Sequence, residues 1–141
     1  MLQRAALTRL RDRLVLSLPS DGLFAPGSAD MTHEAEGAAY VLAAVLGNFG
    51  NRIDVEGHTD PVPINTPEYP SNWELSVARA TAFAFALNQA GLNKNVAAVG
   101  LSDSRYGNIS QELPEDKRMT LARRVDVVIR DSADGAQSNA P

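Results

Sequence analysis

Two rhythms of apolar residues alternate along this chain. Leu14, Leu16 and Leu18 alternate with Val15 and Ser17, the period of a half-buried strand. After Thr32 the spacing changes: Ala35, Ala38, Ala39, Leu42, Val45, Leu46 and Phe49 recur every third or fourth residue. That is one face of a helix, with Thr32 as N-cap, Glu34 and Glu36 in the first turn and Gly50-Asn51 as the stop. Ile53 and Val55 then alternate with Asp54 and Glu56, which predicts a strand over 52–57. Pro61, Pro63, Pro67 and Pro70 make the next loop stiff. Ser71-Asn72-Trp73-Glu74 fits a capping box, and Leu75, Ala78, Ala82, Phe83, Ala86, Leu87 and Ala90 carry a second helix to Gly91.

The rest is shorter. Val96 to Val99 predicts a strand, Leu101 to Pro114 an irregular segment, and Glu115 to Leu121 a turn or two of helix. Val125, Val127 and Ile129 mark the last strand. Leu7, Leu10 and Leu14 stand at helical spacing, so residues 1–13 are expected as an N-terminal helix or linker. Residues 14–130 form the domain, and 131–141, small and polar, are expected as a disordered tail. Strands with one apolar face need helices on one side only. The expected fold is α/β: a two-layer sandwich with an about four-stranded mixed sheet, helices on one face and water on the other.

Composition narrows the function. At 141 residues the chain is one ordinary domain. Its formal net charge of −4 leaves no basic excess, which argues against nucleic acid and against an anionic membrane surface. The absence of cysteine excludes a disulfide framework, a thiolate metal site and a cysteine nucleophile. No apolar run is long enough to span a bilayer, and no signal peptide is visible, so any membrane contact is expected through a segment outside this sequence. No cofactor-binding glycine pattern or nucleophile elbow appears. His33 and His58 are isolated, and beside His58 and Asp60 no third metal ligand is evident.

Several residues have two readings each. Asp60, with Thr59 beside it, stands at a strand end; it is either a ligand acceptor or the cap of an Asx-turn. Arg79 either grips a carboxylate with parallel N–H bonds or is a solvated or salt-bridged cation. Asn72 is a cap or a ligand contact, and Trp73 a binding platform or packing. Arg123-Arg124 is a further anion grip or an exposed strand end.

Taken together these segments resemble a known family. Val55-Glu56-Gly57-His58-Thr59-Asp60, Ser71-Asn72-Trp73-Glu74-Leu75-Ser76-Val77-Ala78-Arg79-Ala80, Val99-Gly100 and Arg123-Arg124-Val125 are similar to the OmpA-like peptidoglycan-binding domain. Leu23 to Asp30 resembles that family's first loop, and the proline-bearing loop before Ser71 looks most like its MotB-like branch, found in flagellar motor stators. The resemblance implies a non-enzymatic periplasmic module holding the meso-diaminopimelate of the peptidoglycan stem peptide. On it, Asp60 receives the ligand ammonium and Arg79 its carboxylate. Thr59, Asn72, Leu75, Arg123 and the Phe24–Gly27 loop line the same pocket, with no cofactor or metal. It also implies a homodimer, a MotA-like channel partner and an inner-membrane anchor for the full-length protein; tethers of outer-membrane proteins, lipoproteins, secretion systems or defence systems are the alternative. Ala122 and Tyr106 stand where the family usually has asparagine and proline.

Overall fold

The computed structural model describes residues 4–131, so the expected tail at 131–141 lies outside the described residues except for Asp131. The elements run β1 (Ala6–Arg9), β2 (Arg13–Pro19), α1 (His33–Leu46), β3 (Ile53–His58), α2 (Asn72–Gln89), β4 (Val96–Gly100), a 3-10 turn (Tyr106–Asn108), α3 (Glu115–Ala122) and β5 (Arg124–Arg130). They form one five-stranded sheet in the order β1-β2-β5-β3-β4. Only β3 and β4 pair in parallel, which α2 makes possible by crossing between them; the other pairs are antiparallel.

Register explains the two faces. Leu14, Leu16 and Leu18 of β2 oppose Ile129, Val127 and Val125 of β5, and Ile53 and Val55 of β3 join them from the other side. These side chains meet Ala35, Ala39, Leu42 and Leu46 of α1 and Ala80, Phe83 and Leu87 of α2 in one core. Helix α1 opens on Thr32, whose hydroxyl accepts from the Ala35 N–H. Helix α2 opens on Ser71, which accepts from the Trp73 N–H while its own hydroxyl meets the Glu74 carboxylate.

Three expectations change. Residues 6–9 are a strand and not a helix, because they pair with 14–17 of β2 and gain a ladder there; this adds the fifth strand. Helix α1 ends a turn early at Leu46, capped by Gly47, so Phe49 falls beyond it and is exposed; Val45, still inside the helix, lies off the buried face. The centre of the second sheet face is not open to water, although the edge strands β1 and β4 are exposed. Asp54, His58 and Asp126 are buried there, and arginines from the same strands and the strand start lie over them. Arg52 and Arg130 both reach Asp54 (3.2 Å each), and Arg124 Nε donates to both Asp126 oxygens at 3.1 Å.

Two glycines set how closely α2 approaches the sheet. A Cβ on Gly57 would collide with the Ser76 carbonyl, and one on Gly100 would collide with Val77 and Ser76. Only glycine permits this contact. Ser76 uses the proximity: its hydroxyl donates to the Trp73 carbonyl (2.9 Å) and accepts from the Ser102 N–H (3.1 Å). The Ser102 carbonyl in turn accepts from the Thr59 N–H at 2.9 Å. A chain of short bonds thus fixes the end of β3 against the start of α2.

Candidate functional site

The site forms where three strands end together. In register, Pro19 of β2, Arg124 of β5 and His58 of β3 lie in one row. Two residues beyond Pro19 is Asp21; two beyond His58 is Asp60; one before Arg124 is Arg123. Arg123 therefore emerges between two carboxylates and binds both. Its Nη1 donates to Asp60 Oδ2 at 2.8 Å, and its Nε donates to Asp21 Oδ1 at 3.1 Å. Nη2 adds a bond to Asp21 Oδ2 at 3.2 Å. These bonds, the one to Asp21 first, raise the Arg123 pKa against the lowering effect of partial burial.

Asp60 forms the Asx-turn and also pairs with Arg123. Oδ1 accepts from the Val62 N–H at 3.0 Å, an Asx-turn that starts the proline loop, while Oδ2 takes Arg123. The Thr59 hydroxyl donates to the Asp60 carbonyl at 2.9 Å. Asn72 Nδ2 donates to the carbonyls of Val62 (3.0 Å) and Asp60 (3.4 Å), so it ties this loop to the first turn of α2.

Arg79, one turn further along α2, is buried and makes no ion pair among the described residues. Its Nε donates to the Ser28 carbonyl at 2.8 Å and its Nη2 reaches the Ala25 carbonyl at 3.5 Å. Its guanidinium stacks over Phe24, 5.1 Å from the ring centroid. Arg79 thus fastens the 24–28 loop, and Gly27, at φ +63°, makes the turn of that loop. Burial lowers the Arg79 pKa, with Asp21, Tyr69 and Asp60 opposing, yet a guanidinium stays charged in the physiological range.

These groups surround one cavity of about 450 Å³, bounded by Asp21, Phe24, Gly27, Thr59, Asp60, Asn72, Leu75, Arg79 and Arg123 together with Gly22, Pro26 and Ile64. Every residue expected in the pocket from the sequence lines it. Asp21, Gly22 and Ile64 were not foreseen. Trp73 is exposed and stays outside the lining. Two carboxylates and two guanidinium groups around an apolar floor of Leu75 and Phe24 can take a molecule that carries one positive and one negative group.

His58 belongs to another cavity, lined with Glu56, Asp126 and Arg124 on the second face of the sheet. Its Nε2 lies 3.3 Å from Asp126 and 3.6 Å from Glu56, as an ion pair without hydrogen-bond geometry. Burial alone would lower its pKa, but Asp126 and Glu56 outweigh it and hold it above the ordinary value. Burial would likewise raise Asp126, but His58 and Arg124 keep it below the usual range. Glu56, His58 and Asp126 supply the three-ligand set that the sequence did not reveal. Arg124 already holds Asp126, its Nε 3.1 Å from both carboxylate oxygens.

The fold and pocket define a two-layer α/β module with a cavity lined by charges of both signs at the strand ends. The OmpA family model matches residues 23–123. The chain belongs to the OmpA family, in its MotB-like branch. It is 37% identical over 133 residues to the uncharacterized protein YtxE of Bacillus subtilis, covering 92% of this chain and 54% of that protein. It is 32% identical over 138 residues to Motility protein B of Escherichia coli K12, covering 87% of this chain and 43% of that protein. The chain thus spans about half the length of the curated relatives it matches. Among solved structures, the cell wall anchor of the T6SS from Pseudomonas aeruginosa superposes with a TM-score of 0.79 at 32% identity, covering 92% of this chain and 89% of that one. The periplasmic domain of Helicobacter pylori MotB (residues 90–256) superposes with a TM-score of 0.80 at 22% identity, covering 96% and 85%, and shows the same fold. No helix among the described residues is long and apolar enough to cross a membrane.

Proposed function

We propose that this chain is a non-catalytic peptidoglycan-binding module that holds the zwitterionic end of meso-diaminopimelate in the stem peptide and so anchors a membrane protein complex to the cell wall. The observation that carries the reading is that Asp60, just beyond the end of β3, and Arg79, on α2, line one cavity. The ammonium pairs with Asp60 and the carboxylate with Arg79, whose Nη1 makes no hydrogen bond among the described residues. Leu75 and Phe24 cover the methylenes between them. Charges of opposite sign lining one cavity accept the whole zwitterion and penalise either half alone.

A relative named Motility protein B and a structural neighbour described as a cell wall anchor support the anchoring role. The same likeness supports a periplasmic setting and a full-length stator subunit that is dimeric, inner-membrane anchored and joined to a MotA-like channel protein. The neighbour's place in a secretion system favours a second reading, in which the same pocket tethers a different assembly.

Co-sedimentation with purified peptidoglycan tests the pocket. The unmodified chain pellets; Asp60→Asn and Arg79→Lys, which keep size, remain mostly in solution. Equal pelleting of all three would remove Asp60 and Arg79 from the binding site.

A further inference from the structure

We propose that Asp21 is a working part of this pocket: it takes over the Arg123 guanidinium when the ligand's ammonium occupies Asp60. The inference rests on the zwitterion reading above and adds a residue that reading does not use. In the ligand-free site Arg123 stands where a cationic ligand group must go. Its Nη1 holds Asp60 Oδ2 at 2.8 Å, while the other Asp60 oxygen is committed to the Val62 N–H. An ammonium arriving at Asp60 therefore meets a carboxylate already neutralised, and a second cation beside it.

The geometry supplies the exit. Arg123 reaches Asp21 with Nε (3.1 and 3.4 Å to the two oxygens) and with Nη2 (3.2 Å), a two-nitrogen fork on one carboxylate. Releasing Asp60 costs Arg123 one bond and leaves this fork closed. Thr120 Oγ1, 3.4 Å from Nη2, steadies the same end. Asp21 is half-exposed and Asp60 largely covered, so the guanidinium moves toward water and the ligand takes the drier partner.

The charges close in both states. Without ligand, Asp21 and Asp60 balance Arg79 and Arg123. With a zwitterion bound, the pairs are ammonium with Asp60, ligand carboxylate with Arg79, and Arg123 with Asp21. Removing the Asp21 charge breaks only the second arrangement: Arg123 then has Asp60 as its sole carboxylate and competes with the ligand for it.

The test is calorimetry of the 141-residue chain with a soluble meso-diaminopimelate-containing stem tripeptide. Asp21→Asn should weaken binding by about tenfold or more, the scale of one lost charge-assisted bond. The Asp21→Asn/Arg123→Gln double variant, with the competitor removed, should recover most of that loss. A folding defect from the Asp21 substitution would persist in the double variant, so recovery separates exchange from structure. An Asp21→Asn chain that binds like the unmodified one, or a double variant that stays weak, overturns the role of Asp21 alone. An unmodified chain that binds no tripeptide overturns the zwitterion reading and this inference together.

Discussion

Gly57→Ala should destabilise this protein and Gly37→Ala should stabilise it. A Cβ at Gly57 would fall on the Ser76 carbonyl oxygen, with the Ser76 carbonyl carbon at 3.1 Å and its Cα at 3.3 Å. The obstruction is helix backbone, so no side chain can rotate away. Ordinary contact would require α2 to retreat from β3 by roughly 1 Å, loosening the packing of Phe83 and Leu87 behind it. Overpacking of this kind costs ~1–3 kcal/mol, and a backbone obstacle puts the cost toward the upper end. Against it stands a gain of ~0.4–1 kcal/mol from a stiffer unfolded chain. The net expectation is a loss of ~1–2 kcal/mol, a sizeable part of a stability that is ~5–15 kcal/mol in ordinary domains. Gly37 lies inside α1 with nothing within 4 Å of the added carbon, so alanine there should gain ~0.5–1 kcal/mol. Urea unfolding followed by far-ultraviolet circular dichroism measures both. Because α2 carries Asn72, Leu75 and Arg79, Gly57→Ala should also weaken peptidoglycan binding, and Gly37→Ala should not. Midpoints that move in the same direction for the two variants, or an unchanged Gly57→Ala midpoint, would refute the close-approach argument.

The remaining predictions concern single groups. Arg79→Lys keeps the charge but loses the Nε bond to Ser28 and the stacking on Phe24; it should cost ~1–2 kcal/mol in thermal unfolding and expose the 24–28 loop to protease. Ser71→Ala removes the α2 cap and should cost ~1 kcal/mol in urea unfolding while leaving the charged groups of the pocket in place. His58 has a raised pKa when folded, so its contribution is complete below pH 6.5 and fades as pH rises through that raised value; thermal scans against pH should show the decline, and His58→Gln should flatten it. Asp126 has a depressed pKa, so its contribution holds above pH 3.8 and is lost as pH falls through the lower folded value; Asp126→Asn should remove that acid-side slope.

Local sequence carried much of this structure. The caps at Thr32 and Ser71, the alternation in β2, β3 and β5, and the pocket candidates Thr59, Asp60, Asn72, Leu75 and Arg79 are all visible within a few neighbours in the chain. What stayed hidden depends on pairing. Leu7, Leu10 and Leu14 fit a helix, and only the free edge of β2 makes 6–9 a strand. Asp54, His58 and Asp126 alternate outward as polar residues should, but arginines from β5 and the β3 start seal them from water. The Arg52-x-Asp54 and Arg124-x-Asp126 spacings, two residues apart on one strand face, were the available sign of that layer. Asp21 stands in Pro19-Ser20-Asp21-Gly22, the composition of a turn, and its meeting with Arg123 exists only in the sheet register.

That meeting has a consequence for how the chain matures. Asp60 and Arg123 are 63 positions apart, and Asp21 and Arg123 are 102 apart. The triad closes only when β5, the last strand of the sheet, inserts between β2 and β3. Contacts of such long sequence separation form late in folding. A chain stalled before that insertion has its acids at two loose strand ends and no cation between them. A complete pocket therefore reports completed folding, and a ligand held there would stabilise the sheet by engaging strands that no local segment holds together.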